Sequence, residues 1–226
     1  MIVHTRHHGV SATGARHRPA IKALYLIALL CLINFAWTGI VRAQTIVVYG
    51  DSLVAGYGLS AADGFVPQLQ RALDAEGLDV NLVNAGVSGD TSQDGLARLD
   101  WTLADRPDAV MLGLGANDML RGIDPAITER NLTAILDRLA EENIPVLLFG
   151  MMANRGLGPD YVAAFDAIYP RLAEEYGARL VPFFLDGVAF ERTLNQPDGI
   201  HPNAEGVARI VAAVLPEVRA LVSAVR

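Results

Sequence analysis

Residues 45–53, TIVVYGDSL, decide the fold. Thr45 to Tyr49 is a short β-branched apolar run without polar alternation, the pattern of a strand buried on both faces. Gly50-Asp51-Ser52 then breaks it at a strand-to-helix turn. The same unit recurs down the chain. Gly64 to Glu76 carries Phe65, Val66, Leu69, Ala72 and Leu73 at helical spacing, and Gly77 stops it. Val80 to Asn84 reads as a second strand, residues 85–90 (AGVSGD) as a glycine-rich loop, and Thr91 to Ala104 as a helix with Leu96, Leu99 and Leu103 on one face. Ala109 to Leu114 is a third strand ending at Gly115-Ala116-Asn117-Asp118, and Pro125 to Glu142 a helix with proline in its first turn. Pro145 to Gly150 is a fourth strand, Asn154 to Pro159 a loop and Asp160 to Tyr176 a helix. Arg179 to Phe184 is a fifth strand that Pro182 predicts to lie at an edge or to end early. Asp198 to Pro202 is a turn, and Asn203 to Val225 a final helix.

Strands apolar on both faces, alternating with helices, predict an α/β protein: one three-layer α/β/α domain around a parallel sheet. Ligands of such sheets bind beyond the carboxyl ends of the strands. Ser52, Gly89 and Asn117 each follow a predicted strand, so three polar loops should converge on one edge.

The first 43 of the 226 residues are unlike the rest. Met1 to Lys22 is basic and holds no acid; Ala23 to Ile40 is an uninterrupted apolar run; Val41-Arg42-Ala43 then offers small or apolar residues at positions −3 and −1 of a cut before Gln44. That order predicts an export signal over 1–43 and a periplasmic or secreted domain over 44–226. The alternative is an uncleaved membrane anchor, since 18 apolar residues nearly span a bilayer. Leu30 is too large for a lipoprotein site at Cys31.

Beyond the leader, 13 arginines face 25 acidic residues, a formal charge of −12, and there is no lysine, no cysteine and one histidine, His201. So acidic a surface argues against nucleic acid and anionic membrane as partners, and also serves solubility. Without cysteine there is no thiolate nucleophile or zinc–sulfur site; without lysine, no Schiff base. A His-rich zinc centre cannot be built, and catalysis that needs imidazole must use His201.

Ser52 sits where a hydroxyl is exposed and a backbone N–H is free for an oxyanion. A serine after Gly-Asp is also a common turn or helix cap. Val54 rules out the G-x-S-x-G elbow for Ser52, and Ser88 misses that pattern too. Asp198 and His201 form a D-x-x-H turn that can set the carboxylate on the imidazole; a plain surface contact is the alternative. Gly89 can offer an unobstructed backbone N–H, or be a loop glycine; Asn117 can offer its amide to developing charge, or be a turn residue. Asp51, Asp90, Asp118 and Asp198 show no metal-ligand spacing, and no cofactor is expected. Gly113-Leu114-Gly115 lacks the third glycine of a dinucleotide fingerprint, because position 118 is Asp118.

Taken together, GDS at 50–52, SGDT at 88–91, GAND at 115–118 and DGIHP at 198–202 resemble the SGNH (GDSL) hydrolase family. The stretches GDSLVAGYG, VNAGVSGDTSQDGLARL and FDAIYPRLAEEYG are similar to its bacterial thioesterase I/lysophospholipase L1/arylesterase branch. The resemblance covers nearly all of 44–226. It implies a flavodoxin-like five-stranded sheet of order 2-1-3-4-5, with Ser52 as nucleophile and Asp198 and His201 completing a triad. Ser52, Gly89 and Asn117 would form the oxyanion hole. Implied substrates are small-molecule acyl esters or thioesters: short- to medium-chain acyl groups, aryl esters and lysophospholipids, with transient contact with lipid and a monomer or small homo-oligomer. Met119, Leu120, Ile123, Met152 and Leu157, in loops after the third and fourth strands, are the candidate acyl-chain lining. The rival readings are a carbohydrate acetylesterase of the same fold and a non-catalytic exported binding module.

Overall fold

The computed structural model describes residues 43–104 and 106–225, together with Met1, Ile2 and Gly9. The chain divides into Met1–Arg42 and Ala43–Arg226. The expected export signal lies almost wholly outside the described residues, and the fold is that of the second unit. Among the described residues no helix is long and apolar enough to cross a membrane.

β1 (Gln44–Gly50) is the TIVVY strand, with Ile46, Val47, Val48 and Tyr49 all buried. β2 (Val80–Gly86), β3 (Ala109–Gly113), β4 (Val146–Phe149) and β5 (Arg179–Val181) complete a parallel sheet of order β2-β1-β3-β4-β5. The flavodoxin-like order expected from the sequence is thus present. In register, Gly50 of β1 lies opposite Gly86 of β2 and Gly113 of β3. The three central strands therefore end level, and the loops that follow them start from one line.

The helices are α1 (Ser52–Ala55), α2 (Phe65–Ala75), α3 (Ser92–Leu103), α4 (Ala116–Leu120), α5 (Pro125–Glu141), α6 (Pro159–Asp166), α7 (Ile168–Tyr176) and α8 (Ala204–Ala224). α2 packs against α8, while α3 packs against α5 and α5 against α7, which gives a helical layer on each face of the sheet. Local chemistry sets where they start. Thr91 and Asp94 form a reciprocal capping box at α3, Asp124 caps α5 ahead of Pro125, and Asn203 caps α8. α8 buries Val207, Ile210, Val211, Val214, Val218, Leu221 and Val222, one apolar stripe along its length.

Two expectations need correction. The single helix expected over 160–176 is two, because Pro170 has no N–H to give the carbonyl of Asp166 and its ring crowds that turn. β5 stops at Val181, because Pro182 cannot donate to the ladder; the strand does lie at the sheet edge. Residues 155–157 of the expected loop form a short 3-10 turn capped by Asn154.

Candidate active site

The site begins where β1 ends. The Asp51 carboxylate accepts the Leu53 N–H at 3.0 Å and so caps α1, whose first residue is Ser52. The Ser52 N–H is left in the first turn, with no acceptor among the described residues. His201 Nε2 lies 2.9 Å from Ser52 Oγ, and Asp198 Oδ2 lies 2.7 Å from His201 Nδ1. Asp198 Oδ1 also accepts the backbone N–H groups of Ile200 (2.9 Å) and His201 (3.0 Å). The Ile200 N–H, then the His201 ring and the His201 N–H, hold the Asp198 carboxyl down at about 2. An ionised Asp198 only accepts, so His201 carries its proton on Nδ1 and turns the Nε2 lone pair to the serine.

The histidine turn is tied to the serine loop by Gln196. Its Nε2 donates to the carbonyls of Tyr57 (2.8 Å) and Pro202 (3.0 Å), and its N–H donates to the His201 carbonyl at 2.7 Å. The Tyr57 ring stands 4.7 Å from the imidazole, centroid to centroid.

The loop after β2 and the turn after β3 meet the serine at the same edge. Asn117 Nδ2 donates to the Asp90 carbonyl at 2.9 Å and lies 3.4 Å from Asp51 Oδ2. One amide hydrogen is thereby fixed, and the other is only weakly engaged. Gly89 has φ +90°, and its N–H has no acceptor among the described residues, while its carbonyl accepts from Arg121 Nη2 at 2.6 Å. Gly115, at φ +108°, makes the bend that carries Asn117 inward; a Cβ there would lie 2.2 Å from Tyr169 Oη. The strained angle falls on Gly115 and not on Ala116, which is the first residue of α4. Alanine is therefore accommodated at position 116.

These loops are cross-braced. Arg98 pairs with Asp90 at 2.6 Å, donates to the Gly50 carbonyl at 2.9 Å and stacks 4.1 Å over the Tyr49 ring. Buried Asp118 accepts from the Ser92 N–H and hydroxyl and from Thr128, which fastens α4 to the start of α3. Among the described residues no group of three His, Cys, Asp or Glu side chains is placed to hold a metal ion.

A cleft of about 340 Å³ opens beside Ser52, Asn117 and His201. Of the five candidate lining residues, Met119, Leu120 and Met152 are in its wall. Ile123 and Leu157 are not: the Ile123 carbonyl receives the Tyr161 hydroxyl beyond the end of α4, and Leu157 sits in the capped 3-10 turn. Leu53, Phe183, Leu185, Phe190 and Ile200 also line it. Phe183, Leu185 and Phe190 come from the irregular segment after Pro182, which carries no periodic signal that could have pointed to them, whereas Leu53 and Ile200 adjoin Ser52 and His201 in sequence. A larger hollow, about 610 Å³, lies at the start of β4 and β5, away from the serine.

Comparison with known proteins shows the family. Residues 48–209 match the GDSL-like lipase/acylhydrolase family. The chain is 41% identical to esterase TesA of Pseudomonas aeruginosa over 202 residues, which cover 89% of this chain and all of that one. It is 39% identical to thioesterase 1/protease 1/lysophospholipase L1 of Escherichia coli K12 over 182 residues, 80% of this chain and 86% of that one. The crystal structure of the psychrotrophic esterase EstA from Pseudoalteromonas sp., inhibited by monoethylphosphonate, superposes with TM-score 0.75 at 34% identity, covering 80% of this chain and 99% of that one. The chain belongs to the GDSL-like lipase/acylhydrolase family.

Proposed function

We propose that the protein hydrolyses small-molecule acyl esters and thioesters through an acyl-enzyme on Ser52. The observation that carries this reading is the relay Asp198–His201–Ser52, at 2.7 and 2.9 Å, beside an apolar cleft. His201 Nε2 takes the Ser52 proton as Oγ attacks the acyl carbonyl. The Ser52 and Gly89 N–H groups and the weakly engaged Asn117 amide hydrogen donate to the oxyanion. The alcohol or thiol leaves with the proton from Nε2. His201 then takes a proton from water, which attacks the acyl-serine, and the acid departs with Ser52 restored.

Acyl chains are favoured over sugar acetates by the wall of the cleft, where methionine, leucine, phenylalanine and isoleucine outnumber the hydrogen-bonding side chains that remain beside the reacting groups, Asn154, Arg155 and Asn195. Short- to medium-chain acyl groups, aryl esters and lysophospholipids fit it. Residues 1–43 are proposed as an export leader on their basic, apolar and small-residue order; an exported product whose mass matches 44–226 would support this.

The decisive experiment is labelling with a fluorophosphonate. Labelling of the wild type that is lost in Ser52→Ala is expected; an unlabelled wild type would reduce the protein to a binding module. Turnover of p-nitrophenyl esters from acetate to palmitate then reads the acyl group, and a sharp optimum at acetate would overturn the acyl-chain reading.

A further inference from the structure

Three non-glycine residues among those described have a positive φ: Arg106, Asn143 and Phe190. Phe190, at φ +67°, is the one bulky apolar side chain of the three. It stands third in a turn that the Glu191 N–H closes onto the Val188 carbonyl at 3.1 Å. A positive φ at that position favours glycine, and a large side chain there is an outlier. The turn is nevertheless firmly held. Asn195 Nδ2 donates to the carbonyls of Val188 (2.7 Å) and Glu191 (2.9 Å), and Val188 itself is fully buried.

Folding gains nothing from phenylalanine here. The backbone would prefer glycine, and the residue is 82% exposed, so packing does not offset the strained angle. What Phe190 does is line the cleft, together with Leu120, Met152 and Ile200, which are also exposed. These four form an apolar collar around the outer part of the cleft whose inner part is bounded by Ser52 and His201. The hydrogen-bonded turn holds the backbone that presents this ring at the cleft, where the chain of a bound substrate is an apolar surface it can bury against.

We propose that Phe190 is a specificity-determining residue for acyl-chain length. Its ring is covered by the part of the acyl chain that runs outward from the carbonyl. The contact is absent for an acetyl group, grows as methylenes are added and levels off once the chain passes the ring. This rests on the acyl-chain reading of the cleft given above.

The test is the ratio of kcat/KM for p-nitrophenyl octanoate to that for p-nitrophenyl acetate, measured on the full chain. In Phe190→Gly the ratio should fall about tenfold, the usual scale for losing one apolar contact in a substrate pocket. The thermal midpoint should hold or rise, because glycine relieves the backbone. Phe190→Leu keeps an apolar side chain and should retain at least about a third of the ratio. An unchanged ratio in Phe190→Gly, or a leucine variant as poor as the glycine one, would overturn the proposal. So would a marked fall in thermal midpoint on Phe190→Gly, since the ring would then be packing in the free protein. A wild type that does not gain rate from acetate to octanoate would instead overturn the acyl-chain reading itself. A wild type that gains rate, with the glycine variant unchanged, would remove Phe190 alone.

Discussion

Replacing Asp51 by asparagine should change how stability depends on pH. Asp51 is about 1% exposed, and its carboxyl is pushed up to about 6, first by burial and further by Asp90 and Asp118. The Leu53 N–H and His201 pull the other way without cancelling that effect. The native value lies above the ordinary 3.8, so the folded protein holds this proton more tightly than the unfolded chain does. Stability from this group is therefore complete below the unfolded value and is lost as pH rises through the window from 3.8 to about 6. At 1.36 kcal/mol per pH unit the full loss is about 3 kcal/mol. Part of the unfolded chain is already ionised at pH 4, so about 2 to 2.5 kcal/mol should appear between pH 4 and pH 8. Asparagine keeps the shape and the acceptor for Leu53 but does not titrate. Its amide also meets the Asn117 amide where 3.4 Å now separates Nδ2 from Oδ2, a cost that does not vary with pH. The quantity to measure is therefore the difference between the two proteins. Urea unfolding followed by circular dichroism at pH 4 through 8 should show Asp51→Asn gaining on the wild type by that amount. A difference that stays flat with pH would refute the reasoning and mean that water reaches the carboxylate.

Asn117→Ala should lower kcat roughly 10²–10³-fold with KM little changed, the usual loss for one oxyanion donor; near wild-type turnover would remove Asn117 from the site. Asp198→Asn leaves His201 without an acceptor that fixes its Nδ1 proton, and should cost roughly 10³–10⁴-fold in kcat; a loss below tenfold would show that Gln196 and the turn suffice to orient the ring. Gly115→Ala puts a Cβ at φ +108° and 2.2 Å from the hydroxyl of fully buried Tyr169. It should destabilise by about 3 kcal/mol, a fall in Tm of roughly 6–12 °C in calorimetry; an unchanged Tm would mean that the turn relaxes freely.

The polar half of the candidate site was legible in the sequence chiefly through the family resemblance of its four motifs, and the structure shows that much of its geometry is local. Asp198 and His201 are joined within one turn, Asp51 caps the helix that starts at Ser52, and Gly89 and Gly115 mark bends at strand ends. The level ends of β1, β2 and β3 then bring those loops together without further instruction. Most element boundaries moved by a residue or two; the changes with a clear cause are at Pro170 and Pro182, and the one-turn helices at Ser52–Ala55 and Ala116–Leu120 are too short to leave a periodic signal. The braces were not readable. Arg98 reaches Gly50 across 48 positions, and Gln196 reaches Tyr57 across 139; Arg98 lies on a helix and Gln196 opens the turn that the Gly199 N–H closes onto its carbonyl, and neither position signals so distant a partner. The apolar wall was half readable. Met119, Leu120 and Met152 follow strands directly, whereas Phe190 comes from an irregular segment whose path depends on a buried Val188 and an Asn195 clamp.

Three buried carboxylates stand around the place where negative charge develops, an arrangement that would oppose catalysis if each were a bare charge. They are not equivalent. Asp90 is paired with Arg98, so its charge is answered within 2.6 Å. Asp118 accepts from the Ser92 N–H, the Ser92 hydroxyl and Thr128, so both oxygens are engaged by donors on α3 and α5 or their starts. Asp51 has one good donor, the Leu53 N–H, and one long contact with Asn117, and it faces the other two acids. Burial therefore acts most strongly on the carboxylate beside the nucleophile, and below about pH 6 it keeps its proton. The Asn117 hydrogen that an ionised Asp51 would attract is the same one that an oxyanion needs. A neutral Asp51 competes for it less, so the residue that caps α1 also sets how freely Asn117 can turn its amide toward the reacting carbonyl. Measuring kcat for Asp51→Asn beside the stability series separates the two effects. If capping alone matters, kcat tracks the wild type at every pH; if competition for the amide matters, the ratio of the two kcat values changes through the same window in which Asp51 ionises.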